Sequence, residues 1–280
     1  LKNYETPAFE ALLHEQESGA SSLLYRFIGI LTELWEAEAG QDKETSFDIF
    51  NRLYSRVAEA HPLMAIFPNL HQFLDEKRRD RDCKSLLNSL TDFRNALNTN
   101  IQATIQTFAK EFADRDRIFT FSHSSIVRQA LLELKKQRSE LTVNITESRP
   151  VREGVALAKV LSRAGVRINL YADAAMERAL EGSDAVMVGT DWYWKDGFVN
   201  KIGTHSILRI ARERKIDFIL LTDSSKAMEN GPADWSRDEH SGTVLFAESD
   251  PNIRVYNPYF EAMGFEGVTH QIIDGILSKA

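Results

Sequence analysis

Residues 185–205, AVMVGTDWYWKDGFVNKIGTH, decide how this chain reads. The apolar run from Ala185 to Gly189 ends in a carboxylate, Asp191. An aromatic turn, Trp192-Tyr193-Trp194, and Gly197 follow, and a helical pattern begins at Asn200-Lys201-Ile202-Gly203-Thr204. Strand, polar loop and helix in that order make the repeating unit of an α/β fold, in which ligands bind at strand ends and helix starts. A carboxylate on one side of the loop, with Asn200, Lys201 and Thr204 on the other, suits a small anionic substrate of the sugar-phosphate type. The stretch leaves open whether such a substrate is turned over.

The same grammar extends outward. Apolar runs RIFTF (117–121), LTVNIT (141–146), VRINLY (166–171) and DFILLT (217–222) surround it, with helical patterns at 124–137, 151–164, 173–181 and 202–213 between them. Strand–helix alternation predicts a parallel sheet wrapped by helices, and continuous apolar runs are what buried parallel strands show. TVLF (243–246) and NIRVY (252–256) predict further short strands, and 265–278 a closing helix. The stretch 223–242, DSSKAMENGPADWSRDEHSG, is the longest loop and is expected to lie over the pocket.

Upstream of residue 115 the strand signals stop. Leu23, Leu24, Phe27, Ile30, Leu31 and Leu34 recur at helical spacing, as do Phe47, Phe50, Leu53, Tyr54 and Val57. Leu86, Leu87, Leu90, Phe93, Leu97 and Ile101 form a third set. With Gly40 and the dipeptides HP (61–62) and FP (67–68) as punctuation, residues 1–114 read as a bundle of four to six helices. Residues 115–280 read as a second, ligand-binding domain. The mixed-sign run DEKRRDRD (75–82) reads as a solvated helix face or turn.

The 280 residues are 43% hydrophobic and 27% charged, a soluble globular composition. No run approaches the roughly 18 apolar residues of a membrane span. The opening LKNYETPAFEALLHEQ lacks the basic region and apolar core of a signal peptide. The single cysteine, Cys83, excludes a disulfide framework and a Cys-based zinc cluster. A cytoplasmic location is the expectation. A formal net charge of -7 argues against broad nucleic-acid binding through phosphates.

Every strand end carries polar groups. They are Ser122-His123-Ser124-Ser125, Thr146-Glu147-Ser148-Arg149-Pro150 with Gly154, Ala172-Asp173, Gly189-Thr190-Asp191, and Asp223-Ser224-Ser225-Lys226. Ser124 or Ser125 suits a helix cap, and Asp173 suits the cap of AAMERAL. Arg149 suits a bidentate phosphate clamp, because a planar guanidinium matches the anion. Lys201 and Lys226 suit phosphate or hydroxyl contacts. His123 and His205 lack ligand-spaced partners, so no metal is expected, and His205 reads as structural. The dinucleotide and P-loop glycine fingerprints are absent. A triad of Ser122, His123 and Asp191 lacks the G-x-S-x-G elbow.

Together these motifs resemble one superfamily, which joins the regulatory subunits of translation initiation factor 2B with the aldose-1-phosphate isomerases. The isomerases include those of ribose 1,5-bisphosphate and methylthioribose 1-phosphate. The matching pieces are TESRP (146–150) with Gly154, YADAA (171–175), VGTD (188–191), KDGFVNKIGT (195–204), Ser225-Lys226 and NPYFE (257–261). Their order and spacing extend over residues 117–280. The resemblance implies an N-terminal helical domain and a Rossmann-like (NagB/RpiA-type) parallel-sheet domain. It also implies homodimers or larger assemblies through the C-terminal domain, and no redox cofactor. In the isomerases a Cys after the first strand and an Asp after the fourth carry the proton transfers that turn an aldose 1-phosphate into a 1-phospho-ketose. Asp191 matches that Asp, Asn200 and Lys201 match the substrate-contacting pair, and Arg149 matches a phosphate-contacting Arg.

The chain departs from that pattern at several positions. Ser122 stands at the Cys position. A thiol with a pKa of about 8.5 exchanges protons near neutral pH, whereas a serine hydroxyl needs a partner base. Ser18-Gly19-Ala20 stands at an Arg-Gly phosphate element, keeping Gly19 and lacking the Arg. Trp192, Tyr193 and Trp194 replace small residues, adding bulk that fills the pocket or offers a stacking face. Glu261 replaces an Asp. The expectation is a factor-2B-related protein that binds a sugar phosphate or nucleotide in a regulatory or assembly role. The alternative is an active aldose–ketose isomerase using Asp191 with Ser122 or His123.

Overall fold

The computed structural model describes residues 4–15, 18–37, 43–78, 83–233, 238, 240–248 and 250–279, without side chains at 43–45, 78, 83 and 84. Gly40, residues 79–82 of the DEKRRDRD run and the Cys83 side chain lie outside that description. The first half is helical: α1 (Pro7–Leu13), α2 (Ala20–Ala37), α3 (Lys43–Ala60), α4 (Ile66–Arg78) and α5 (Cys83–Glu111). Thr6 starts α1 by accepting the Phe9 N–H at 3.2 Å, and Pro7 fits the first turn, where its missing donor costs nothing. Phe9, Phe27, Phe50 and Phe67, one from each of α1–α4, are fully buried, and Phe27 lies 6.0 to 6.4 Å from the other three rings. Burying each such ring contributes about 1.5–3 kcal/mol.

The second half runs β1 (Arg117–Thr120), α6 (Ser125–Gln137), β2 (Thr142–Thr146), α7 (Glu153–Arg163), β3 (Arg167–Tyr171), α8 (Met176–Leu180) and β4 (Ala185–Val188). It continues with β5 (Trp192–Trp194), β6 (Gly197–Lys201), α9 (Thr204–Glu213), β7 (Asp217–Thr222), β8 (Phe260–Met263), β9 (His270–Ile273) and β10 (Ile276–Lys279). Among the described residues the main sheet has the order β10-β9-β7-β4-β1-β2-β3, and β5-β6-β8 form a smaller antiparallel sheet. All main-sheet pairs are parallel except β9 with β10.

Strand β4 shows how the sheet divides its core. Successive side chains point to opposite faces. Ala185 and Met187 join the apolar cluster that continues through α6, α7 and the helical half, while Val186 and Val188 join the cluster under α8 and α9. Strand order then fixes the site. From β1 the chain steps outward to β2 and β3, and from β4 it steps the other way to β7 and β9. The order reverses between β1 and β4, and a crevice opens beyond the carboxyl ends of two strands at such a point.

Several expectations fail for local reasons. The aromatic turn is strand β5, paired with β6 across Lys195-Asp196. Asn200 and Lys201 therefore lie on a strand, and the helix begins only at Thr204. The closing helix of 265–278 is the hairpin β9–β10, whose two-residue turn is Asp274-Gly275, both at positive φ (52° and 82°). Aspartate followed by glycine between β-branched residues is a strong hairpin signal, which the helical spacing of the apolar residues obscured. TVLF forms no strand but lies partly in a 3-10 turn, Gly242–Val244, and NIRVY stays irregular with Ile253 and Tyr256 exposed. Among the described residues no helix is long and apolar enough to cross a membrane.

Candidate functional site

The crevice is built from strand ends that local contacts hold in place. After β1, Ser122 takes a left-handed conformation (φ 64°), and its N–H donates to Ser148 Oγ at 2.8 Å. Ser148, also left-handed (φ 61°) and fully buried, donates that hydroxyl to the Thr146 carbonyl at 3.2 Å. The loop after β2 is cinched by Asp173, whose two oxygens accept the Ser148 and Arg149 N–H groups at 2.8 and 2.6 Å. Contrary to the cap role expected from the sequence, Asp173 secures a neighbouring loop and does not cap AAMERAL.

The helical half closes the other side. Ala65 N–H donates to the Asp191 carbonyl at 3.0 Å, and Asn69 Nδ2 donates to the carbonyls of Ser225 and Ala227 at 2.7 and 2.9 Å. Gly19, just before α2, approaches the β1–α6 loop so closely that a Cβ there would lie 2.9 Å from the His123 carbonyl oxygen.

The resulting cavity, about 50 Å³, is lined by Gly19, Ser122, Asp191, Asn200, Lys201 and Lys226 among others. Six of the seven residues expected at the site are therefore brought together. Arg149 is not among the lining residues: its side chain is half exposed, with Nε 3.5 Å from Glu147. From loop 223–242, Lys226 alone among the described residues reaches the cavity, and residues 234–237 and 239 lie outside the description. The three aromatics do not line it either. Trp192 Nε1 donates to the Asn230 carbonyl at 2.9 Å, and the Trp194 ring lies against Gly197 and Gly231. They neither fill the cavity nor offer it a stacking face. His205 is exposed on α9.

The electrostatics centre on two lysines and two carboxylates. Lys201 is 2% exposed, donates to Glu153 Oε1 at 2.7 Å, and lies 4.7 Å from the centre of the Tyr259 ring. Lys226, 3% exposed, donates to the Thr190 carbonyl at 2.8 Å. An ammonium has three protons to donate, so both retain capacity for a ligand. Burial pushes the Asp191 carboxyl above the ordinary carboxylate range, against the pull of Lys226 and Lys201. Burial likewise raises Glu153, opposed by its bond to Lys201 and reinforced by Asp191.

Three helices start near this crevice, and they differ in what they offer an anion. The start of α9 is taken: Glu261 accepts the N–H groups of Gly203 and His205 at 2.7 and 2.8 Å. The first residue of α7 is itself an acid, Glu153. Helix α6 begins after Ser124, which makes no side-chain cap bond and whose buried Oγ has no partner. Open N–H groups with the positive end of the dipole favour an anion there. The helix start expected to hold the anion, at 200–204, is the capped one.

Sequence reading missed Glu153, because an acid in a helix's first turn ordinarily only complements the dipole. Its position depends on Gly154, where a Cβ would lie 2.0 Å from the Thr146 carbonyl oxygen. Gly154→Ala must displace backbone, so its expected cost is about 1–3 kcal/mol in urea unfolding. A neutral result would mean that α7 shifts freely along β2.

The model of the initiation factor 2 subunit family matches residues 16–277. The chain belongs to that family. Its relatives include a translation initiation factor eIF-2B subunit 2-like protein of Pyrococcus horikoshii, 28% identical over 224 residues, 79% of this chain and 77% of the relative. The ribose 1,5-bisphosphate isomerase of Haloferax volcanii is 26% identical over 227 residues, 79% and 70% of the two chains. In fold, this family member superposes on the solved eIF-2B of Pyrococcus horikoshii with a TM-score of 0.83 at 24% identity, covering 100% of this chain and 98% of that one. It superposes on the 5-methylthioribose 1-phosphate isomerase of the same organism with a TM-score of 0.77 at 20% identity, covering 97% and 83%. Relatives named as factors and as isomerases thus stand at similar identity to this family member.

Proposed function

We propose that the β1/β4 crevice binds a small phosphorylated metabolite, a sugar phosphate or a nucleotide, and that the protein acts in a regulatory or assembly role. One observation carries this reading: the open start of α6, with the unpartnered Ser124 Oγ, shares a cavity with two buried lysines. The phosphate sits at α6 between Lys226 and Lys201, and the sugar hydroxyls face Asn200 and Asp191. The regulatory role rests on Ser122, which cannot exchange protons near neutral pH as a thiol does. Within this reading residues 1–114 form the helical domain and 115–280 the ligand-binding domain. The protein works in the cytoplasm as a homodimer or larger assembly. A phosphate contact for Arg149 rests on resemblance alone.

The raised carboxyl of Asp191 favours a second reading, an aldose–ketose isomerase acting on an aldose 1-phosphate, with Asp191 as acid/base and Ser122 or His123 as its partner. One experiment separates the two. Aldose 1-phosphates, ribose 1,5-bisphosphate, nucleoside monophosphates and GDP are added to the protein, with thermal shift and product analysis by NMR in the same tubes. A ligand at a hundredfold excess over its Kd stabilises the native state by about 2.7 kcal/mol. Stabilisation without conversion is the expected result. Conversion that disappears in Asp191→Asn supports the isomerase, and no shift with any compound refutes the binding site.

A further inference from the structure

Neither the binding role nor the isomerase role uses Glu153. Its Oε1 accepts from Lys201, while Oε2, on a residue 7% exposed, has no hydrogen-bond partner on any other residue, and Glu153 lines the cavity. The backbone that carries it is held close to β2. Left-handed Arg152 (φ 70°) precedes it, and Gly154 presses on the Thr146 carbonyl behind it. A dianionic phosphate drawing on Lys201 therefore meets an ammonium that already has a counterion. It also meets a carboxylate oxygen of its own sign, and an uncompensated buried charge is strongly unfavourable.

We propose that Glu153 is the internal competitor for Lys201 and takes up one proton when a phosphorylated ligand binds. The proton comes from solvent and settles on Oε2. The ligand anion then replaces the carboxylate as the counterion of Lys201, and the new O–H donates toward the ligand. This rests on the crevice being the phosphate site.

The groups facing Glu153 decide the direction of the coupling. Asp191 after β4, Lys226 after β7 and His123 after β1 share the cavity with it and with Lys201, and Tyr259 lies beneath the Lys201 ammonium. From its other side, His61 and Glu15 of the helical half, with Asp238 and His240, face it across a second small cavity. Burial and Asp191 already hold the carboxyl high, against Lys201. An arriving dianion pushes the same way as Asp191 and withdraws the help of Lys201, so ligand and proton bind together.

The test is isothermal titration calorimetry of ribose 1-phosphate and of AMP, in buffers of differing ionisation enthalpy. It is run between about pH 7.5 and 8.5, where a phosphate monoester with a second pKa of about 6 is already a dianion. The parent protein is expected to take up close to one proton per ligand, with Kd weakening by up to about tenfold per pH unit, the linkage ceiling for one proton. Glu153→Gln is expected to take up none, to hold a flat Kd, and to bind more tightly than the parent at the alkaline end. The proton count in the parent needs no variant, so it stands even if Glu153→Gln folds poorly. Binding without proton uptake overturns the proposal and leaves the phosphate site intact. So does uptake that persists in the Gln variant, which assigns the proton to Asp191 or a histidine. No binding of either probe by parent or variant overturns the phosphate site and the proposal together.

Discussion

Lys201→Met is expected to destabilise the fold by about 3–5 kcal/mol near neutral pH, the usual cost of breaking a buried ion pair from one side. Lys201 and Glu153 lie 2.7 Å apart with their side chains 3% and 9% exposed, so water compensates the abandoned carboxylate only in part. The pH dependence has a definite sign. The folded Glu153 carboxyl already lies above its unfolded value, and removing Lys201 raises it further. Such a group binds more protons in the native state, so its penalty is absent below the unfolded value and grows as pH rises toward the folded one. Urea unfolding at neutral and mildly acidic pH should therefore show the deficit shrinking on acidification. Adding Glu153→Leu to the same chain should recover most of the loss, since an apolar pair of similar volume is often neutral or better. A single-variant deficit that does not change with pH would show that Glu153 is not the group left uncompensated.

The second large effect is expected far from the chemistry. Phe27→Ala should cost about 3–5 kcal/mol in the same unfolding measurement. Phe27 on α2 is fully buried and lies 6.4, 6.3 and 6.0 Å from the rings of Phe9, Phe50 and Phe67, so truncation opens a cavity where α1, α2, α3 and α4 meet. The loss should also reach the site. Gly19 leads into α2 and Met64 precedes α4, and both line the cavity. Leu170→Ala on the edge strand β3, at a residue 49% exposed, should stay within about 0.5 kcal/mol and serves as the control. Equal costs for the two would mean that the four-helix junction relaxes around the gap.

The parallel strands and the helices between them were legible because their signals are local. A run such as DFILLT at 217–222 is buried on both faces, so its apolar continuity survives in sequence, and it forms β7. The helical half was legible through its apolar spacing in the same way. Where a local signal pointed to two answers, the reading went wrong. Residues 265–278 carry apolar residues at helical spacing, but Asp274-Gly275 turns the chain back on itself, and β9 then pairs with β7. Trp192 to Trp194 looked like a loop because reading Asn200-Lys201 as a helix start hides β6, their partner strand two residues on.

The site divides along the same line. Which residue types stand at the strand ends, including Asp191, Lys201, Lys226 and the serine at 122, was determined by the sequence by itself. Which of them meet was decided by the strand order, which places the ends of β1 and β4 at the reversal and leaves Arg149 outside the cavity lining. Tertiary structure alone also decided which helix start is open. Glu261 reaches α9 from a strand 56 residues away in the chain from His205, while Ser124 makes no cap bond on α6. The pairing of Glu153 with Lys201 spans 48 residues. Hydrogen bonds and charge pairs act over a few ångströms in space, whereas periodicity and turn chemistry act over a few residues of chain. The elements were therefore legible in the sequence, and their electrostatic company was settled only by packing.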